Sequence, residues 1–215
     1  MGLLDRLRAV LGTAAEADAT RDADPEDLFG LSTAYVTMEA ELDYAPAGEA
    51  ALCFSDVDST AFREARDEVD AVLHAGERET GTRFEFRTDT HGYEWVVLAD
   101  EAFEDLVTSV HFAADTMVEG GFGSRLLAAV FAFRGRDRTA YWIYSFRRGS
   151  FYPFVPAGQR AEAASRATRE RDSATEFKLE SVLGGELAVE DDESYWYPLW
   201  PEGDAYPWGE PLASG

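Results

Sequence analysis

Three histidines (His74, His91, His111), one cysteine (Cys53) and many carboxylates are the residues on which chemistry would have to rest. The histidines are too few and too scattered along the chain for a metal cluster. His111 lies beside an apolar helical face, which suits a core or boundary residue; His91 is a turn residue. A lone cysteine makes no intrachain disulfide and no thiolate cage. Cys53 sits in the apolar run Ala50 to Phe54 and reads as a small core residue. Asp56 and Asp58 could approach a divalent ion, but one pair lacks the ligand count of a site; capping the next helix is the plainer role. Gly120-Gly121-Phe122-Gly123-Ser124 ends a helix and precedes a strand, whereas phosphate cradles run from strand through loop to a helix N-terminus. No Gly-x-Ser-x-Gly elbow and no His-Glu-x-x-His occurs. With Asp+Glu 42, a pair of carboxylates carries no information by itself. The expectation is therefore no catalytic set, no metal and no cofactor.

One stretch departs from the background. Arg134, Arg136, Arg138, Arg147 and Arg148 stand against Asp137 alone. The aromatic run Phe151, Tyr152, Phe154 follows directly. These arginines either pair with acids on neighbouring elements or form a patch for an acidic partner or phosphate groups. Arginine is favoured at interface hot spots, so the five arginines and three aromatics are candidate partner-binding residues. A rival arrangement is a pocket lined by aromatics, with His111, Arg148 and Tyr152 as its polar groups, serving a small-molecule binder or an enzyme.

The whole chain has 215 residues, with Lys+Arg 19 against Asp+Glu 42, a formal net charge of −23. Nucleic acid is excluded as a partner, because phosphate binding needs clustered Lys and Arg. Hydrophobic content of 46% is too high for a disordered acidic tail. Lys178 is the only lysine; every other basic side chain is Arg. Such usage suits molar salt, where the Debye length falls to about 3 Å and self-repulsion is screened. No apolar run is long enough to span a bilayer and no leader is evident, so the cytoplasm is the expected compartment.

Periodicity supplies the elements that position these residues. Leu3, Leu4, Leu7, Val10 and Leu11 form one stripe of a short amphipathic helix, tethered through an acidic, alanine-rich stretch to residue 24. That helix either docks on its own domain or is offered to a partner or a membrane surface; Leu3, Leu4 and Leu7 are further candidate contacts. Asp24-Pro25 starts a short helix, and Leu31 to Leu42 favours another. Ala50 to Ser55 reads as a strand. Phe62, Ala65, Val69, Val72 and Leu73 mark a helix capped by Asp58 or Ser59. Arg83 to Thr88 and Tyr93 to Leu98 form a hairpin. A helix from Phe103, a central strand from Arg125 to Arg134, a strand from Thr139 to Phe146 and an extended piece Phe151 to Val155 follow. Arg160 to Leu183 is read as a charged surface helix, interrupted near Ser173. The aromatic end, Tyr195 to Trp208, is expected to wrap the body. Residues 25–215 are thus expected as a single α+β domain: a two-layer sandwich with a mainly antiparallel sheet and helices on one face. Its order resembles secretion-chaperone and YbjN-type folds.

Gly121-Phe122-Gly123-x-x-Leu126-Leu127, Phe131-Ala132-Phe133, Tyr144-x-Phe146-x-Arg148-Gly149-x-Phe151-Tyr152-Pro153-Phe154-x-Pro156 and Trp196-Tyr197-Pro198-Leu199-Trp200 resemble the PspA-associated protein PspAB family. Met1 to Leu7 and Tyr93-x-Trp95 fit the same pattern. The resemblance implies a haloarchaeal-type accessory to PspA, the membrane-remodelling phage-shock protein, acting in envelope or membrane stress. It supplies no catalytic residues. A binding or adaptor protein is the leading expectation, with a PspA-like protein as partner and the N-terminal helix as a peripheral membrane contact. A homodimer through the aromatic C-terminus is a further possibility.

Overall fold

The computed structural model describes residues 24–157, 170–201 and 205–212. The N-terminal leucine stripe, with Leu3, Leu4 and Leu7, lies outside the described residues. Asp24 caps a short 3-10 turn, Pro25–Gly30, by accepting from the Glu26 N–H, and α1, Leu31–Leu42, follows at once. The first strand, β1, runs Ala45–Ser55 and starts earlier than the apolar pattern suggests. Ser59 caps α2, Thr60–Thr80, which ends on Gly81 at φ 87°; Gly76 lies inside it. Then come β2 (Arg83–Thr88), β3 (Tyr93–Ala99), α3 (Phe103–Glu119), β4 (Leu126–Arg134), β5 (Thr139–Ser145) and β6 (Ser150–Phe154).

All six strands form one antiparallel sheet in the order β2-β3-β1-β4-β5-β6. The fold is α+β, with helices over one face. Alternation assigns the faces. Leu52, Phe54, Val96, Leu98, Phe131, Phe133, Trp142, Tyr144 and Phe151 point to α1, α2, α3 and the helix after β6. Cys53, Trp95, Val97, Val130, Tyr141, Ile143, Tyr152 and Phe154 point to the opposite face. Both faces are covered, which is why β4 reads as a continuous apolar run. The β1–β4 ladder shifts register twice, between Pro46 and Ala50 and between Cys53 and Phe54; at the second, Cys53 faces Ala128 and Phe54 faces Leu126, so Leu127 is the extra residue of a bulge.

The second face is closed by the C-terminal chain. Trp196, Leu199 and Trp208 are buried there, Trp200 packs edge-on against Phe154 at 5.0 Å, and Tyr206 stacks on Trp208 at 4.8 Å.

Of the helix expected over 160–183, residues 160–169 lie outside the described residues; within 170–183 the helix begins at the expected break near Ser173, and the part before it needs correction. Glu170–Arg171 (β8) pairs with Pro156–Ala157 (β7) as a two-stranded ladder, and the helix α4 covers Ser173–Leu183. Asp172 starts it by accepting from the Thr175 N–H. Nor does it lie free on the surface: Leu179 and Leu183 are fully buried against the helix-side core. Its charged positions masked a narrow apolar stripe.

Candidate functional site

The aromatic run after Gly149 is core, not surface. Phe151, Tyr152 and Phe154 are all buried, because β6 is inserted between the helix layer and the C-terminal chain. The expectation that they meet a partner is corrected on that ground. The run's length without a polar residue suits a strand covered on both faces.

The five arginines separate. The Arg148 guanidinium donates to Glu190 at 2.7 Å and 3.2 Å and lies 3.9 Å over the Tyr195 ring. Glu190 also accepts from Ser150 Oγ at 3.1 Å. Arg148 thus ties the β5–β6 turn to the C-terminal chain. Arg138 pairs with Asp172 at the start of α4. Arg147 is half-buried beside Arg148, while Arg134 and Arg136 are exposed at the β4–β5 turn. Ion pairing with neighbouring acids accounts for Arg138 and Arg148.

The three residues of the expected pocket do not meet. His111 lies on α3 in the helix layer, whereas Tyr152 faces the opposite side of the sheet and donates to the Tyr197 carbonyl at 3.1 Å. Burial pushes the Tyr152 phenol well above its ordinary range, against the opposing pull of the Arg171 charge, so it stays neutral.

What remains open is a patch the sequence did not mark. Phe29 ends the 3-10 turn and Phe112 lies on α3; they are 37% and 49% exposed. His111 sits between them, its ring 4.6 Å from Phe29 and 5.6 Å from Phe112. Its side chain is only 9% exposed, and the Glu26 carboxylate stands 3.5 Å from Nε2. Neither ring nitrogen makes a hydrogen bond among the described residues. A buried polar group without a hydrogen bond is costly; apart from the Glu26 carboxylate beside Nε2, the imidazole has hydrogen-bonding capacity to spare, so the patch combines exposed aromatic area with that capacity. The chemistry offered is recognition: two aromatic faces and one imidazole that can donate or accept. Phe29 and Phe112 escaped sequence reading because single exposed aromatics look like ordinary members of amphipathic stretches.

Among the described residues no group of three or more His, Cys, Asp or Glu is placed to hold a metal ion, and no helix is long and apolar enough to cross a membrane. The family model described as PspAB, PspA associated protein B, matches residues 1–208. No curated protein and no solved structure matches the chain.

Proposed function

Because this chain belongs to the PspA associated protein B family, we propose that it is a non-enzymatic adaptor that docks a PspA-like protein in a membrane or envelope stress response. The family name carries the partner, and the Phe29–His111–Phe112 patch carries the binding mode. Exposed aromatics around a buried, unsatisfied imidazole are what a protein partner would cover and complete. Leu3, Leu4 and Leu7 belong to the segment that joins the body at Asp24, five residues before Phe29 in the chain. They add a second contact on the partner or on the membrane that it remodels. Arg134 and Arg136 are a third element, suited to acidic groups. The acidic, arginine-based surface suits a cytoplasm at molar salt.

The test is a pull-down of a PspA-like protein in molar KCl. Phe112→Asp and Phe29→Asp should each cut recovery at least tenfold while leaving the far-UV spectrum intact. Leu3→Asp with Leu7→Asp should weaken capture further. Equal recovery by wild type, variants and bare resin would sink the proposal.

A further inference from the structure

The sheet has two outer strands, and the described chain covers one. Along β6, the Phe151 N–H donates to the Ala188 carbonyl at 2.8 Å and the Glu190 N–H donates to the Phe151 carbonyl at 2.9 Å. β2 ends the order on the other side, and no described strand pairs with its outer edge. Its register with β3 shows which groups face out. The Asp89 N–H donates to the Tyr93 carbonyl at 2.9 Å, and Thr88 lies opposite Glu94 and Arg83 opposite Ala99. Antiparallel alternation then turns the backbone groups of Arg83, Glu85 and Arg87 toward β3 and those of Phe84, Phe86 and Thr88 outward. An open edge of this kind is a template for another strand.

We propose that the occupant is a second copy of this chain, paired antiparallel with β2 about a two-fold axis at Phe86, so that two six-stranded sheets become one. Charge selects the copy and the register. Centring the axis on Glu85 sets Glu85 against the partner's Glu85, and Arg83 against the partner's Arg87: like charges throughout. Centring on Phe84 opposes Arg83 to the partner's Glu85 but leaves only 83–85 paired within the strand. Centring on Phe86 sets Glu85 opposite the partner's Arg87 twice and keeps 84–88 paired. Opposite charges directly across a ladder are favourable and like charges unfavourable. Glu85 is half exposed and reaches Nη2 of Arg87 on its own strand at 2.9 Å, while Arg87 Nη1 donates to the Glu210 carbonyl; the partner's Glu85 then meets a guanidinium already fixed in place, and the two pairs form a four-charge cluster across the joint. Phe84 and Phe86 need no rearrangement: Phe84 packs on His74 at 4.8 Å, and Arg66 lies 4.4 Å over Phe86. In molar salt the main-chain bonds carry the affinity and the charges fix the register.

Light scattering in molar KCl should give the mass of a dimer. Thr88→Pro removes an outward N–H at the strand end and leaves the main-chain ladder to β3 in place, losing only the Thr88 hydroxyl's bond to the Glu94 carboxylate; it should weaken dimerisation at least tenfold with the circular dichroism spectrum unchanged. Under oxidation, a chain carrying both Glu85→Cys and Arg87→Cys should form a covalent dimer. Glu85→Cys alone should not, because the two positions 85 are then diagonal and too far apart for a disulfide. A monomer at every concentration, or a dimer unaffected by Thr88→Pro, overturns the proposal, and a covalent dimer from Glu85→Cys alone overturns the register. β2 does not include Phe29 or Phe112, so this assay and the PspA pull-down fail independently.

Discussion

Two buried glutamates, Glu190 and Glu49, titrate in opposite directions for reasons visible in their surroundings. Burial opposes ionisation of Glu190, yet the hydrogen bonds from Arg148, Asp192 N–H and Ser150 outweigh it and hold the carboxyl below its usual range. A carboxyl with a depressed folded pKa stabilises above its unfolded value of about 4.3, and that stability is lost as pH falls through the folded value. Arg148→Gln should therefore lower Tm at pH 7 and leave less to lose on acidification. Burial pushes Glu49 up, and the bonds from Trp208 Nε1 and Leu212 N–H only partly offset it. Its contribution has the other sign: it is fully present in acid and is lost as pH rises through the raised value. Glu49→Gln keeps an acceptor and removes the charge, so Tm at pH 7 should hold or rise. A drop of several degrees would contradict this account. Glu176, buried, joins Arg171 at 3.0 Å and the Val155 N–H at 2.8 Å. Removing it strands a cation and an N–H, and Glu176→Ala should cost about 3–5 kcal/mol in denaturant melts.

Among the elements, β1 is held in place by a conformation only glycine takes easily. Its pairing with β4 shifts between Pro46 and Ala50, and Gly48 sits in that shift at φ 77°. Its carbonyl accepts from the Asp100 N–H at 3.1 Å, and a Cβ there would lie 3.1 Å from the Asp100 carbonyl oxygen. Gly48→Ala should cost about 1–2 kcal/mol by denaturant titration, from left-handed strain plus that contact. Most elements were legible because their signals are local. Ser59 before a stripe of Phe62, Ala65 and Val69 gives α2, and Asp89-Thr90-His91-Gly92 gives the β2–β3 turn. Within 170–183 the break near Ser173 is legible in the sequence, but its cause is not: Glu170 and Arg171 pair with Pro156 and Ala157, and Asp172 takes Arg138, partners that no local pattern reveals. The burial of Phe151 to Phe154 is hidden from the sequence for the same kind of reason: the helix layer covers Phe151 and the C-terminal chain covers Tyr152 and Phe154, both from a distance along the chain.

For the whole molecule, −23 in 215 residues is the dominant electrostatic fact. Self-repulsion of that size should make stability depend steeply on salt. Tm should rise by ten degrees or more between low salt and molar KCl, and a flat curve would remove the molar-salt reading. Against that acidic background two places stand out for recognition: the Phe29–Phe112 patch, which is aromatic, and the edge of β2, where Arg83, Glu85 and Arg87 alternate in sign.

The sequence by itself determined the class, the order of elements and the charge, because periodicity, caps and turn residues act over a few positions. It also carried the family, through aromatic and glycine motifs that span most of the chain. Tertiary structure decided which of those motifs are reachable. Phe151, Tyr152 and Phe154 are sealed by two layers, Arg138 and Arg148 are tied to acids far along the chain, and His111 and Tyr152 are parted by the sheet. Accessibility depends on what packs from a distance, and no local pattern encodes that.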